Sequence, residues 1–368
     1  MAIAMTPSQS IFTDSLQSKV ISFLRFPLIV GVVMIHSDPG AVNIGGTQIF
    51  DIDNFKIYEY TRYFVSEILA RIAVPLFFFI SGFLFFKGSF SFNSYLLKIK
   101  RRTKTIVVPY IIWNLFVIAL VFLQQTFMSG LSSGRNGLLI DNTLVEWISA
   151  FWNYNNTSMP ICYQFWFIRD LIVTIILSPI LYLGIKYLRY YFVLFLGILW
   201  LLNIWFNIVG FSIVAFFFFS AGAYFNIFRI NFIKTFQPFM KWAIIAYIVL
   251  SVTNLYFNHD TWVVYVHRIG ILAGIISVIT VSAHYIKLGK WEINNFLSES
   301  SFFIYAYHAT FLALITKASV KYIIPTSNFE LIILYFLSSA ITILIGLGLY
   351  YILKLYLPKF TRIITGDR

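Results

Sequence analysis

The run FLRFPLIVGVVMIHSD, residues 23–38, carries an arginine and a histidine, Arg25 and His36, in a stretch otherwise made for lipid. Imidazole is the side chain best suited to proton transfer near neutral pH. A guanidinium held away from water can orient an anionic ligand. Eleven positions at 3.6 residues per turn make almost three turns, so a continuous helix puts both side chains on one face, about 16 Å apart along the axis. Pro27 between them is expected to bend the first turns of that helix. A plainer reading has Arg25 snorkelling to the headgroups and His36 resting at the opposite interface. The shared face favours chemistry: His36 as base or acyl carrier, Arg25 as its cationic partner.

Further candidates follow along the chain. Glu67 and Arg71 form an i,i+4 pair that neutralises itself in lipid, either as a structural ion pair or as part of a site. Glu67 is also the better candidate for setting the tautomer of His36, because Asp38 points about 160° away if the helix continues. The densest basic cluster, KIKRRTK at 98–104, is expected in a loop. It is either ordinary cytoplasmic charge or a platform on which Arg101, Arg102 and Lys104 bind phosphate. In QFWFIRDL, residues 164–171, Trp166 and the pair Arg169–Asp170 start a span. They either anchor it at the interface or line an external cavity, with Trp166 stacked on a sugar ring. His308, in SFFIYAYHATF, either bonds between helices or joins the chemistry. Ser81 and Gly82 are expected to allow close helix packing. The doublet in DID at 51–53 offers carboxylates but no complete acidic site.

These residues need a scaffold, and the composition names it. The 368 residues are 60% hydrophobic and only 11% charged, with a mean hydropathy of +0.82. Soluble domains carry about 25% charged residues, so the chain is an all-α, polytopic membrane protein. Runs long enough to cross a bilayer fall at about 20–38, 62–87, 105–127, 166–187, 190–207, 209–227, 241–257, 267–286, 299–317 and 330–355. The net charge of +13 gathers in alternate loops, so it reflects membrane orientation rather than nucleic acid, and it places both termini in the cytoplasm. The organisation expected is a cytoplasmic segment 1–19, a membrane domain 20–355 and a cytoplasmic tail 356–368. The first apolar segment lacks the features of a cleaved signal peptide and is expected to be retained. One cysteine, Cys162, allows neither an intrachain disulfide nor a Cys-rich metal site.

Taken in order, LRFPLIVGVVMIH, VPLFFFISGFLFF, the basic cluster closing in PYIIW, WFIRDL and SFFIYAYH resemble the acyltransferase-3 family of integral membrane acyltransferases. The resemblance runs from about residue 20 to 355 and implies ten spans. It implies transfer of an acyl group, usually acetyl, from cytoplasmic acetyl-CoA or another acyl-CoA to a hydroxyl of a cell-envelope glycan or lipid-linked glycan. No metal is expected, and the home implied is a bacterial inner membrane. The family's functional arginine and histidine fall on Arg25 and His36. Its basic Arg-x-x-Arg motif falls on Arg101-x-x-Lys104, with lysine in the second place and Arg102 alongside. The acceptor sugar would approach Trp166, Arg169, Glu67, Arg71 and His308. The competing class is a transporter or flippase of glycan or lipid-linked oligosaccharide, with the intramembrane charges lining its path.

Overall fold

Apolar runs of this length leave the chain little choice, because in lipid each backbone N–H and C=O must be satisfied within the segment. A computed structural model describes residues 7–44, 47–48, 50, 54–127 and 139–367. The expected carboxylate doublet at 51–53 lies outside the described residues.

Helix α1 is Pro7–Ile35 and runs unbroken through Pro27. A minimal hairpin follows, Asn43–Ile44 (β1) against Thr47–Gln48 (β2). Helix α2, Lys56–Phe85, and helix α3, Phe92–Phe127, come next. Each contains a π-helical turn, at Tyr63–Leu69 and at Thr103–Val107. Short helix α4, Leu144–Ser149, leads to α5 (Trp166–Ile176) and α6 (Ser178–Leu188). Then come α7 (Tyr190–Leu202), α8 (Ile213–Ile227), α9 (Phe232–Tyr256) and α10 (Val263–Lys287). Helices α11 (Asn295–Ile323), α12 (Asn328–Tyr356) and α13 (Pro358–Thr365) complete the chain.

All ten expected segments are helical, but they are not ten equal crossings. Among the described residues, seven helices are long and apolar enough to span a bilayer: α1, α2, α3, α9, α10, α11 and α12. The expected fourth span is a broken one, bent by 62° between α5 and α6. Pro179 opens α6 and has no N–H to continue the ladder. Helices α7 and α8 have 13 and 15 residues, about 20 and 22 Å at 1.5 Å per residue. The end of α7 is closed by a cation: Arg268 Nη1 donates to the carbonyls of Trp200 and Leu201, both at 2.8 Å.

The basic cluster is not a loop. No helix breaker stands between Ser91, which caps α3, and Pro109, so residues 98–104 lie on helix that continues into the span. Close packing does centre on Gly82. A Cβ there would sit 1.9 Å from the Phe219 carbonyl oxygen, and one at Gly222 would sit 1.9 Å from that of Phe79. The two glycines thus let α2 and α8 touch backbone to backbone. The expected tail is also folded onto the bundle: Trp113 Nε1 donates to the Ile364 carbonyl at 3.0 Å, and Gly366, at φ +71°, leaves room for the Thr105 carbonyl.

Candidate functional site

Helix α1 stops at Ile35, and the last carbonyls of any helix need partners. Here they come from elements distant in sequence. The His36 N–H closes a tight turn onto the Val33 carbonyl at 3.1 Å. Ser66 Oγ donates to the Met34 carbonyl at 2.8 Å and lies 2.8 Å from the Tyr335 hydroxyl. Ser37 Oγ donates to the Tyr335 backbone carbonyl at 3.0 Å. Ser66 sits in the π-helical turn of α2, a distortion often found at functional sites. Two helices therefore grip the turn that carries His36.

The His36 ring meets two aromatic groups. The Tyr163 ring approaches at 5.2 Å between centres, edge to face, and the His308 ring lies 5.3 Å away, tilted by 32°. His308 comes from α11 and is completely buried. Its Nδ1 lies 2.7 Å from the Tyr305 carbonyl. A carbonyl only accepts, so Nδ1 carries the hydrogen. Nε2 is then a bare acceptor, and it has no hydrogen-bond partner among the described residues. The segment bearing Tyr163 is strapped to α11: Gln164 Nε2 donates to the Ala306 carbonyl at 2.9 Å, and the Phe165 and Tyr305 rings stack at 5.5 Å.

Neither carboxylate expected near His36 serves it. Asp38 accepts from the Tyr58 hydroxyl at 2.7 Å and pairs with Arg62 at 3.5 Å. Glu67 takes the Arg71 guanidinium, with Nε at 2.8 Å. Each carboxylate is drawn to the cation that neutralises it, as lipid demands. Arg71 still lies within electrostatic range of His36 and of His267. Beside it, Tyr63 donates to Asn254 Oδ1 at 3.1 Å, and the Asn254 amide donates to His267 Nδ1 at 2.9 Å. Of this second polar group, Asn254 on α9 and His267 on α10 line a small cavity with Ser251 and Gly270.

At the other end of α1, Gln17 Oε1 accepts from the Phe232 N–H at 3.2 Å, and Phe23 stacks on Trp291. Arg25 is half-buried above this layer and has no ion pair among the described residues. The basic stretch of α3 starts at the C-terminal end of α2, where Lys98 Nζ donates to the carbonyls of Phe85 and Lys87 at 2.7 and 3.2 Å. Arg101 and Lys104 are exposed, and Arg102 is half-buried. The basic stretch of α3 thus lies at one end of the bundle and the His36–His308 pair at the other. Gln17 to His36 is about 29 Å of helix, the depth of a hydrocarbon core.

Trp166 opens α5 with its ring half-buried. Of the two readings of Arg169, an anchoring ion pair or the lining of an external cavity, the structure matches the first, since Arg169 is 4% exposed and engaged. Nε and Nη2 donate to Asp170 at 3.0 and 2.8 Å, while Nη1 donates to the carbonyls of Trp152 and Ser158 at 2.8 and 2.9 Å. A buried guanidinium takes every acceptor within reach. The sequence reading did not single out Tyr163, Ser66 or Tyr335. Tyr163 sits in QFWFIRDL's immediate approach, but nothing local tells it apart from 22 other tyrosines. Among the described residues, no group of three or more His, Cys, Asp or Glu side chains is arranged to hold a metal.

A family model described as an acyltransferase domain matches residues 19–351. The succinoglycan biosynthesis protein ExoH of Rhizobium meliloti is 26% identical over 367 residues, covering 96% of this chain and 94% of its own length. No solved structure matches the chain.

Proposed function

Because the chain belongs to this acyltransferase family, we propose that it is a membrane-embedded O-acyltransferase that moves an acyl group, acetyl in our reading, from cytoplasmic acyl-CoA to a glycan hydroxyl. The acceptor is a surface polysaccharide or its lipid-linked precursor, and the home is a bacterial inner membrane with both termini in the cytoplasm. The glycan assignment draws on the similarity to a succinoglycan biosynthesis protein. One observation carries the reading: an imidazole pair closes α1 at one end of the bundle while the basic stretch of α3 gathers at the other.

The donor's phosphates bind Arg101, Arg102 and Lys104, and its arm enters the bundle past Arg25. The acceptor approaches from outside, near Trp166, Glu67 and Arg71. In the transfer, the hydroxyl oxygen attacks the thioester carbon as His36 takes the hydroxyl proton. The carbon–sulfur bond then breaks, and the thiolate leaves with that proton. An ester replaces a thioester, and atoms and charge balance. His36 as a transient acyl carrier gives the same overall balance in two steps.

Mass spectrometry of the surface glycan, with and without the gene, tests the function. Deletion is expected to remove one acyl increment per modified site while the glycan still reaches the surface. A glycan mass unchanged by the deletion, with an altered location, would make the chain a transporter. The donor site has its own test. Arg101→Ala with Lys104→Ala is expected to weaken acyl-CoA binding about 10- to 100-fold, as loss of charge-assisted bonds to phosphate implies. Unchanged affinity of the purified double variant, measured by calorimetry, would remove α3 from the donor site.

A further inference from the structure

A bare, fully buried ring nitrogen is costly to leave unsatisfied, and His308 Nε2 is such a group. Its tautomer is not free to relieve the cost. The Tyr305 carbonyl holds the hydrogen on Nδ1, and Tyr305 is itself packed on Phe165. The ring it faces is His36, 5.3 Å between centres. A direct N–H···N link between two imidazoles spans about 5 Å between ring centres, given about 2.9 Å between the nitrogens. Neither ring nitrogen of His36 has a hydrogen-bond partner among the described residues. Asp38 and Glu67, the carboxylates that would ordinarily orient a catalytic imidazole, are paired elsewhere.

We propose that His308 is the positioning partner of His36: its bare Nε2 accepts the hydrogen of the facing His36 ring nitrogen and leaves the other His36 nitrogen as the base. The inference rests on the reading of His36 as base. In the resting site a small rotation about the His36 side chain closes the link. As the acceptor hydroxyl gives up its proton, the imidazolium that forms on His36 keeps its second N–H on His308. A neutral imidazole is the partner suited to this depth, because it orients the base without adding an unpaired charge to the membrane interior. The strap of Gln164 and Tyr305 between the Tyr163 segment and α11 fixes where His308 stands.

The test compares His308→Phe, which keeps a ring but no acceptor, with His308→Gln, whose amide oxygen can stand near the lost Nε2. Both are assayed as purified full-length protein with radiolabelled acetyl-CoA and isolated glycan, beside His36→Ala. His308→Phe is expected to lose about 100-fold in kcat, within the range for a displaced general base, with the KM for acetyl-CoA unchanged. His308→Gln is expected to recover at least a tenth of the wild-type kcat. Full activity in His308→Phe overturns the proposal. So does equal loss in both variants at wild-type melting temperature, since a packing role makes no use of the amide acceptor. If both variants melt early, a kcat in His308→Gln no higher than in His308→Phe per folded molecule overturns it as well. An active His36→Ala would overturn the underlying reading instead, and an inactive one with normal His308→Phe overturns the pairing alone.

Discussion

His36→Ala is expected to abolish acyl transfer while the chain still folds and inserts. A general base contributes about 10²- to 10⁴-fold, which is about 3–5 kcal/mol of barrier at 1.36 kcal/mol per tenfold. If His36 carries the acyl group covalently, the loss is complete. Stability should be spared for a specific reason. The turn at the end of α1 is held by the backbone carbonyl of Met34, by Ser37, by Ser66 and by Tyr335, and none of these bonds uses the imidazole. The ring itself is only half-buried, and it packs beside the rings of Tyr163 and His308. Removing it leaves the scaffold standing. Acyl transfer by purified protein in nanodiscs, read by label incorporated into glycan, measures the loss, and a melting curve checks the fold. Wild-type turnover in a folded His36→Ala protein would end the assignment.

The opposite experiment, on the scaffold of that turn, would give a different signature. Ser66 and Tyr335 lie 269 residues apart and meet at the Met34 carbonyl. No spacing rule relates residues so far apart, which is why neither was visible in the sequence. His36 and Arg25 were visible because charged side chains stand out in an apolar run, and lipid makes them costly. The helix that relates them ends at Ile35, one residue before the imidazole. The same logic separates what was legible elsewhere. Apolar runs gave all ten helical segments, because composition alone forces them. The break follows from Pro179, whereas the end of α7 is closed by a distant partner, Arg268 from α10. The basic run at 98–104 looked like a loop on charge, but it lacks any residue that stops a helix and so continues into α3.

Polar pairs within spans show the limit of sequence reading most plainly. A carboxylate and a cation in lipid must neutralise each other, and spacing picks out Glu67 with Arg71 correctly as i,i+4 neighbours. It cannot say which of the remaining charges is spent on structure. Arg169 and Asp170 are consecutive, and consecutive helical residues do not ordinarily face each other. The Arg169 guanidinium folds back to reach Asp170 and, with Nη1, ties the loop carbonyls of Trp152 and Ser158 to the start of α5. A residue proposed from sequence for the acceptor thus holds the loop from Trp152 to Ser158 against the start of α5.

That difference makes a sharp expectation for Asp170→Ala. The substitution leaves Arg169, 4% exposed, without its carboxylate. Removing one partner of a buried ion pair costs about 3–5 kcal/mol, because the remaining charge stays buried. Asp170→Ala is therefore expected to lower the melting temperature and the yield of detergent-extracted protein far more than it changes the acceptor KM of the folded fraction. Arg169→Lys should behave similarly, since an ammonium cannot reproduce the fork that serves one carboxylate and two carbonyls at once. Loss of the tie would also loosen the segment from Trp152 to Ser158, so limited proteolysis there should speed up in both variants. A raised acceptor KM with an unchanged melting temperature and unchanged proteolysis would reverse the assignment. It would return Arg169 to the acceptor site, where the spacing of Trp166, Arg169 and Asp170 first suggested it belonged.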